Sequence, residues 1–183
     1  MTIPMIRFGL AAVLSLFFSA CGASALFQAN VLKDVDNDFD FTAWRASPNA
    51  VPGRKVQLGG RIIQAESSNG GVVIVGEQLP IVEHPAYGPS SSGRKRTGVY
   101  EFAFLYPGKI ESTALTAGNR FIVVGTTQQA KVVSVEGASK TEPYLVAQCV
   151  HIWKTEGREI SDFPEVGAGY YPLEENTYCA TGK

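Results

Sequence analysis

Short apolar segments separated by glycine and proline run through residues 55–154, and this spacing constrains the fold more than any other feature of the chain. Apolar and polar side chains alternate over 55–64, and β-branched residues dominate 72–81. Such short segments are typical of strands, whereas amphipathic helices need longer segments with a period of 3.6 residues. Further segments of the same character complete a set of about six predicted strands: 99–106, 120–126, 131–135 and 144–154.

Two adjacent glycines, Gly59 and Gly60, lie inside the first predicted strand. Glycine within a strand indicates a strong bend or the close approach of another backbone. No segment of the sequence has the strand–helix–strand pattern of a parallel α/β fold, so the fold class is all-β. Bent strands favour a small, roughly six-stranded OB-like barrel over residues 34–154, with a sandwich as the alternative.

The two ends of this domain are predicted to differ. A short helix is expected at 41–46, because Asp40 is a good N-cap and Pro48 disfavours helical backbone in the residue before it. From Thr155 onward the sequence has no regular period, so residues 155–183 are predicted to be an irregular tail.

The N-terminus has the features of an export signal. Arg7 is its only charged side chain, and the apolar residues 8–18 follow. This stretch is shorter than the roughly 20 residues that span a bilayer, and it fits the apolar part of a signal peptide. Two small residues then precede Cys21, as in bacterial lipoprotein signals. We predict a signal peptide at 1–20, lipidation of Cys21 and a tether over 21–33.

A second cleavage pattern leaves an alternative open. Ala23, Ser24 and Ala25 match the A-x-A type of site. Cleavage there would release a soluble periplasmic protein that begins at Leu26. Gly22, rather than aspartate, follows the lipidation site, and by resemblance to enterobacterial lipoproteins this favours the outer membrane over the inner one.

Lipidation of the first cysteine leaves Cys149 and Cys179. Exported compartments are oxidising, so a disulfide between them is predicted, which would pin the tail to the domain. Two free thiols are the alternative.

The alternation of residues along the last predicted strand places five side chains on one of its faces: Leu145, Ala147, Cys149, His151 and Trp153.

Charge and aromatic residues suggest one candidate ligand surface. The net charge of −1 provides no field that would attract nucleic acid, so none is predicted as a partner. Arg94, Lys95 and Arg96 form one basic cluster, which is either a solvated loop or a contact for lipid phosphates. Tyr100 begins an aromatic stripe that ends at Tyr106 and forms either core or a ligand-stacking face.

Catalytic and metal-binding patterns are weak. Four aspartates within 34–40 resemble part of a calcium loop, but Phe39 and Arg45 stand where that loop needs glycine and glutamate, which indicates an acidic linker. His84 and His151 are the two histidines, and neither belongs to a ligand set. The sequence therefore predicts a protein that is not an enzyme, with no catalytic residue, metal or cofactor.

The strand segments resemble a known family. Residues 48–63 are similar to the opening pattern P…G-(K/R)-x-V-x-x-G-G-x-I of the Slp family of outer-membrane lipoproteins. Residues 105–108 and 117–125 resemble the family's Y-x-P-G-R-x-(I/V)-T-V-V-G region. Its closing strand, with H-L-W near the end, resembles residues 144–146 and 151–154.

This resemblance covers residues 31–154 and leaves the cysteine-containing tail outside. It implies an envelope lipoprotein of the outer membrane, linked to starvation or stress, and it carries over no catalytic residue. We therefore expect a non-enzymatic protein anchored through Cys21 and facing the periplasm, with the membrane and an envelope protein or polymer as partners. The alternative is a binding module for a glycan, a peptidoglycan fragment or a lipid head group.

Overall fold

A computed structural model describes residues 26–82, 84–91, 100–163 and 172–180. Two short helices, α1 (Ala29–Leu32) and α2 (Phe41–Ala46), precede the strands, and 3₁₀ turns lie at Pro85–Tyr87, Ser112–Leu115 and Ile160–Asp162. Within the described ranges, no helix is both long and apolar enough to cross a membrane. The described residues form six strands: β1 (Lys55–Ser68), β2 (Gly71–Leu79), β3 (Glu101–Tyr106), β4 (Arg120–Val135), β5 (Ala138–Trp153) and β6 (Glu175–Cys179).

Strand pairing closes the sheet into a ring. β1 is antiparallel to β2 and to β4, while β2 also pairs with β3 and β4 also pairs with β5. The ring closes where β3 runs parallel to β5, with Ala103 opposite Tyr144 and Leu105 opposite Val146. The all-β prediction is therefore confirmed, with five strands in the ring and β6 beside it.

The predicted strands at 120–126 and 131–135 form a single strand, β4. Its pairing with β5 continues through a register shift between Gln128 and Lys131. A shift of this kind keeps backbone hydrogen bonds on both sides of an irregularity, so polar side chains there do not end the strand.

Large apolar side chains fill the ring, and α2 covers one of its ends. Trp44 on α2 is buried and its ring lies 6.4 Å from that of Phe102. Asp40 caps the helix as predicted, since its Oδ1 accepts hydrogen bonds from the N–H groups of Thr42 (2.8 Å) and Ala43 (3.1 Å). The core includes alternate residues from all five ring strands: Val56, Leu58, Ile62, Val72, Ile74, Phe102, Phe104, Tyr106, Phe121, Val123, Leu145, Ala147, Val150 and Ile152.

Glycines make room for one of these side chains. A Cβ atom at Gly60 or at Gly76 would lie 2.6 Å from the ring of Phe121, which is far inside normal contact distance. The Gly59–Gly60 pair therefore marks a close approach, as expected. At Gly60 the groups that come close are the Phe121 ring and the carbonyl oxygen of Glu77.

The predicted face of β5 is wrong beyond Ala147, because a bulge intervenes. Val124 of β4 lies opposite Cys149, but the next residue, Gly125, lies opposite Ala147, so Gln148 is an extra residue. An extra residue exchanges the two faces of a strand. Leu145 and Ala147 point into the ring, as do Val150 and Ile152, whereas Cys149, His151 and Trp153 belong to the outer face.

The expectation of an irregular tail is wrong at residues 175–179. β5 continues beyond the end of β3 and offers a free edge, and β6 pairs with it antiparallel, with Cys179 opposite Cys149. These two cysteines form the predicted disulfide. Their separation of 30 residues corresponds to a stabilisation of roughly 3–4 kcal/mol in the chain-entropy model.

The expected tether over 21–33 is also too long. Phe27 and Val31 are buried in a second cluster on the outer face of β4 and β5, which we call the outer cluster. The chain is therefore part of the packed domain from about residue 26 onward. The outer cluster consists of Phe27, Val31, Ile122, Val124, Cys149 and Trp153.

Candidate functional site

A buried charge stands at the first residue of β4. The side chain of Arg120 is only 3% exposed. Its Nε donates to the carbonyl oxygen of Arg158 and its Nη1 to that of Pro89, both at 3.0 Å, while Nη2 forms an ion pair with Glu159. A guanidinium can be buried only when its donors are paired in this way. Arg120 thus holds two loops together. We use the name arginine clasp for Arg120 and its partners: Pro89, Arg158 and Glu159.

Glu159 is the acidic side of the clasp. Its carboxylate accepts hydrogen bonds from the hydroxyl and the backbone N–H of Ser91, the latter at 3.4 Å. Burial acts to raise the pKa of Glu159, but the hydrogen bonds from Ser91 and the charge of Arg120 outweigh it and lower that pKa. The carboxylate therefore stays ionised and keeps its attraction for the guanidinium.

The residue before the clasp arginine is equally constrained. Asn119 is fully buried, and its Nδ2 donates to the carbonyl oxygens of Thr113 (3.2 Å) and Ala114 (3.0 Å). Its Oδ1 accepts the backbone N–H of Glu156 at 3.0 Å. Asn119 and Arg120 together fix the loops that surround this end of the ring.

A cavity of about 610 Å³ lies beside Asn119. Its walls come from the 3₁₀ turn before β4, from the loop after β5 and from the residues that lead into β6. The cavity is lined by Thr113, Thr116, Asn119, Lys154, Glu156, Arg158, Phe163, Pro172, Leu173 and Glu174.

The lining provides hydrogen bonds and charge. The ammonium of Lys154 lies 2.8 Å from Glu174 and 3.6 Å from Glu111, and the hydrogen bond to Glu174 raises the pKa of Lys154. The guanidinium of Arg158 lies 4.0 Å from the centroid of the Phe163 ring. The lining thus presents hydroxyl, amide, carboxylate and cationic groups that can hydrogen-bond a polar ligand.

His151 has a structural environment on the outer face of β5. Its buried ring lies 4.2 Å from that of Trp153, and its Nδ1 lies 2.6 Å from Oγ1 of Thr177 on β6. Nε2 lies 3.4 Å from a carboxylate oxygen of Glu175. Burial lowers the pKa of His151 more than Glu175 raises it, so the imidazole is neutral near pH 7.

The predicted lipidation site and most of the predicted ligand surface fall in the part of the chain that the structure does not describe. Cys21, Arg94, Lys95 and Arg96 lie outside the described residues. Tyr100 is partly buried and lines a different cavity, of about 440 Å³, so it is not brought to the cavity beside Asn119.

The remaining aromatic residues of the stripe are core. Phe102, Phe104 and Tyr106 are buried inside the ring, which confirms the core interpretation for them. Among the described residues, no group of three or more histidine, cysteine and acidic side chains is placed to hold a metal ion. Asp36 of the acidic segment pairs instead with Arg54.

Comparison with known proteins identifies the family. A family model described as the outer membrane lipoprotein Slp family matches residues 18–178. The chain belongs to this family. No curated protein and no solved structure matches it significantly. The Slp match is longer than the resemblance over 31–154, so the tail up to residue 178 belongs to the family unit and is not an addition to it.

The arginine clasp was not predicted from the sequence, although Arg120 lies within the Slp-like segment 117–125. The available signal was a charged residue, Arg120, directly before the apolar segment 121–124. Arg120 donates to the backbone carbonyl groups of Pro89 and Arg158, which lie far from it in the sequence. Because any residue has such a carbonyl group, the pattern of side chains does not reveal these acceptors.

Replacing Arg120 by methionine should lower the free energy of unfolding by about 3 kcal/mol, since the carbonyl groups of Pro89 and Arg158 lose a charged donor and Glu159 loses its ion-pair partner. Urea unfolding measures this loss. The matched control is Arg61→Met, which breaks the 2.6 Å pair with Glu77 at a side chain that is 51% exposed, and should cost less than about 1 kcal/mol. Equal losses in both variants would contradict the role assigned to the clasp.

His151 should make stability fall in mild acid. Because its folded pKa lies below the unfolded value near 6.5, the unfolded chain binds the proton more readily, and stability decreases as the pH drops below that value. Urea midpoints measured between about pH 7 and pH 5 should therefore decline, and His151→Gln should decline less. If the variant shows the same pH dependence as the unmodified chain, other groups are responsible.

Proposed function

We propose that this Slp-family protein is a non-enzymatic envelope lipoprotein that is lipidated at Cys21, held in the outer membrane and facing the periplasm. The observation that carries the proposal is the start of the family match at residue 18, just before that cysteine. The matched unit therefore includes the short segment that resembles a lipoprotein signal. Function under starvation or stress is part of the proposal and is supported by the family resemblance alone.

The chemistry of such an anchor is simple. The Cys21 thiol forms a thioether to diacylglycerol, and cleavage before the cysteine frees its α-amine, which accepts a third acyl chain in many Gram-negative lipoproteins. Each buried CH₂ contributes about 0.8 kcal/mol, and about two chains give stable anchoring. A fully modified Cys21 meets that requirement.

The placement of buried polar groups supports a non-enzymatic function. In the described part of the chain, several of these groups are engaged in structural contacts rather than converging on a reaction site. Thr127 shows the pattern, since its Oγ1 donates to the carbonyl oxygen of Val51 at 2.5 Å and accepts the N–H of Arg54 at 3.0 Å. Thr155 likewise makes a structural contact, because its Oγ1 donates to the carbonyl oxygen of Gly118 at 3.0 Å.

Intact mass tests the anchor. The protein isolated from outer membranes of an expressing Gram-negative cell should begin at Cys21 and carry acyl mass. A Cys21→Ser variant should lack that mass and leave the membrane fraction. An unacylated chain that begins at Leu26 in the soluble periplasm would refute the proposal and support ordinary export.

The cavity beside Asn119 favours a second candidate function, a binding module for an envelope glycan. Threonine hydroxyls, an amide and the Arg158 guanidinium line it, and these groups are typical partners for sugar hydroxyls and carboxylates. The Lys154 ammonium is already held by two carboxylates and is less available.

Binding of soluble peptidoglycan fragments measures this second function. Saturable binding should weaken about tenfold in Arg158→Ala, the equivalent of one charge-assisted hydrogen bond. Tyr100→Ala should leave it unchanged, because Tyr100 lines the other cavity. The opposite result would move the binding site to the surface predicted from the sequence, and an absence of saturable binding would remove this candidate.

A further inference from the structure

Exposed apolar side chains are concentrated around the outer cluster. Four large hydrophobic residues are well exposed in the described part of the chain: Leu32, Val82, Tyr87 and Val132. Leu32 follows the buried Val31 on α1, and Val82 follows Ile81, which packs against the outer cluster. Only Val132 lies away from this cluster. We call Val82 and Tyr87, which line one depression, the apolar patch.

Tyr87 belongs to the same surface through its neighbour Gly88. A Cβ atom at Gly88 would lie 3.4 Å from the Trp153 ring and 2.2 Å from Ile160, so the backbone of this loop rests directly on the outer cluster. Val82, Tyr87 and Ile160 also line one shallow depression. Tyr87 is 61% exposed even though its loop is held in place.

The N-terminal segment enters the domain at this cluster. Phe27 is one of its buried members, and the carbonyl oxygen of Leu26 accepts a hydrogen bond of 3.4 Å from Thr177. Four residues separate Leu26 from Cys21. Even a fully extended chain spans only about 17 Å over that distance. Whatever Cys21 is attached to is therefore held close to the outer cluster.

We infer that the apolar patch rests on the membrane that holds the lipid anchor, so that the domain has one fixed face toward the bilayer. The inference rests on the proposed lipidation of Cys21. A short connection limits the orientations available, and exposed apolar side chains favour the one that places them at the lipid surface. Tyrosine suits this boundary because its ring is apolar and its hydroxyl is polar.

Tyr87→Trp provides a probe of this contact in the full-length protein. The chain has two other tryptophans, Trp44 and Trp153, and both are 1% exposed, so they contribute a constant background. The matched control is Val132→Trp, whose position is 69% exposed and lies eight residues along β4 from Val124, or about 26 Å along an extended strand. Each variant is purified from membranes and placed in phospholipid vesicles with brominated acyl chains.

The tryptophan introduced by Tyr87→Trp should have an emission maximum shifted to the blue, and bromine should quench most of its fluorescence. The tryptophan introduced by Val132→Trp should keep the emission maximum of a solvent-exposed side chain. Equal quenching at both positions, or none at Tyr87→Trp in protein that floats with the vesicles, would overturn the inference and leave the lipid anchor intact. Protein that does not float with the vesicles would instead refute the proposed lipidation.

The unacylated form separates the membrane from other occupants of the patch. Tyr87→Trp combined with Cys21→Ser should emit like an exposed tryptophan at all protein concentrations. A blue shift that grows with concentration would mean that a second copy covers the patch. A blue shift independent of concentration would mean that the chain itself covers it. Either result would overturn the inference.

Discussion

The pairing of β5 with three other strands determines the rest of this structure. Its first part closes the ring against β3, its length pairs with β4, and its last part accepts β6 after β3 has ended. One bulge at Gln148 separates the part of β5 that closes the ring from the part that pairs with β6. Beyond this bulge, the side chains that strict alternation would place in the interior lie on the outer face. Without that exchange, Cys149 and Trp153 would point into the ring, where neither the disulfide to β6 nor the outer cluster could form.

A polar arrangement complements this apolar one at the end of the ring where β4 begins. Asn119 and Arg120 satisfy backbone groups of the loops that surround this end of the ring. Loops of this kind must pair their polar groups with something other than a strand ladder. Two buried side chains provide those partners, so the loops that line the cavity are fixed by these hydrogen bonds as well as by side chains that pack on the core, such as Leu115 and Leu173.

Much of the ring could be predicted from sequence, since alternation and glycine placement reflect local burial. The segments 55–64 and 72–81 and the Asp40 cap have their causes within a few residues. β6 could not be predicted, because its side chains are largely exposed and it exists only through the free edge of β5 and the disulfide. The Gln148 bulge left no signal, because apolar residues flank it on both faces. The clasp depends on distant backbone carbonyls.

The outer cluster and the cavity beside Asn119 share one residue. Leu173 packs against the outer cluster and also lines the cavity beside Asn119. If the outer cluster lies toward the bilayer, as we infer, this shared residue places one wall of the cavity on the membrane side of the domain. A ligand there would meet the protein and the lipid head groups together. In that orientation a component fixed in the envelope would lose less freedom on association than one that diffuses freely, because both partners would already share one plane.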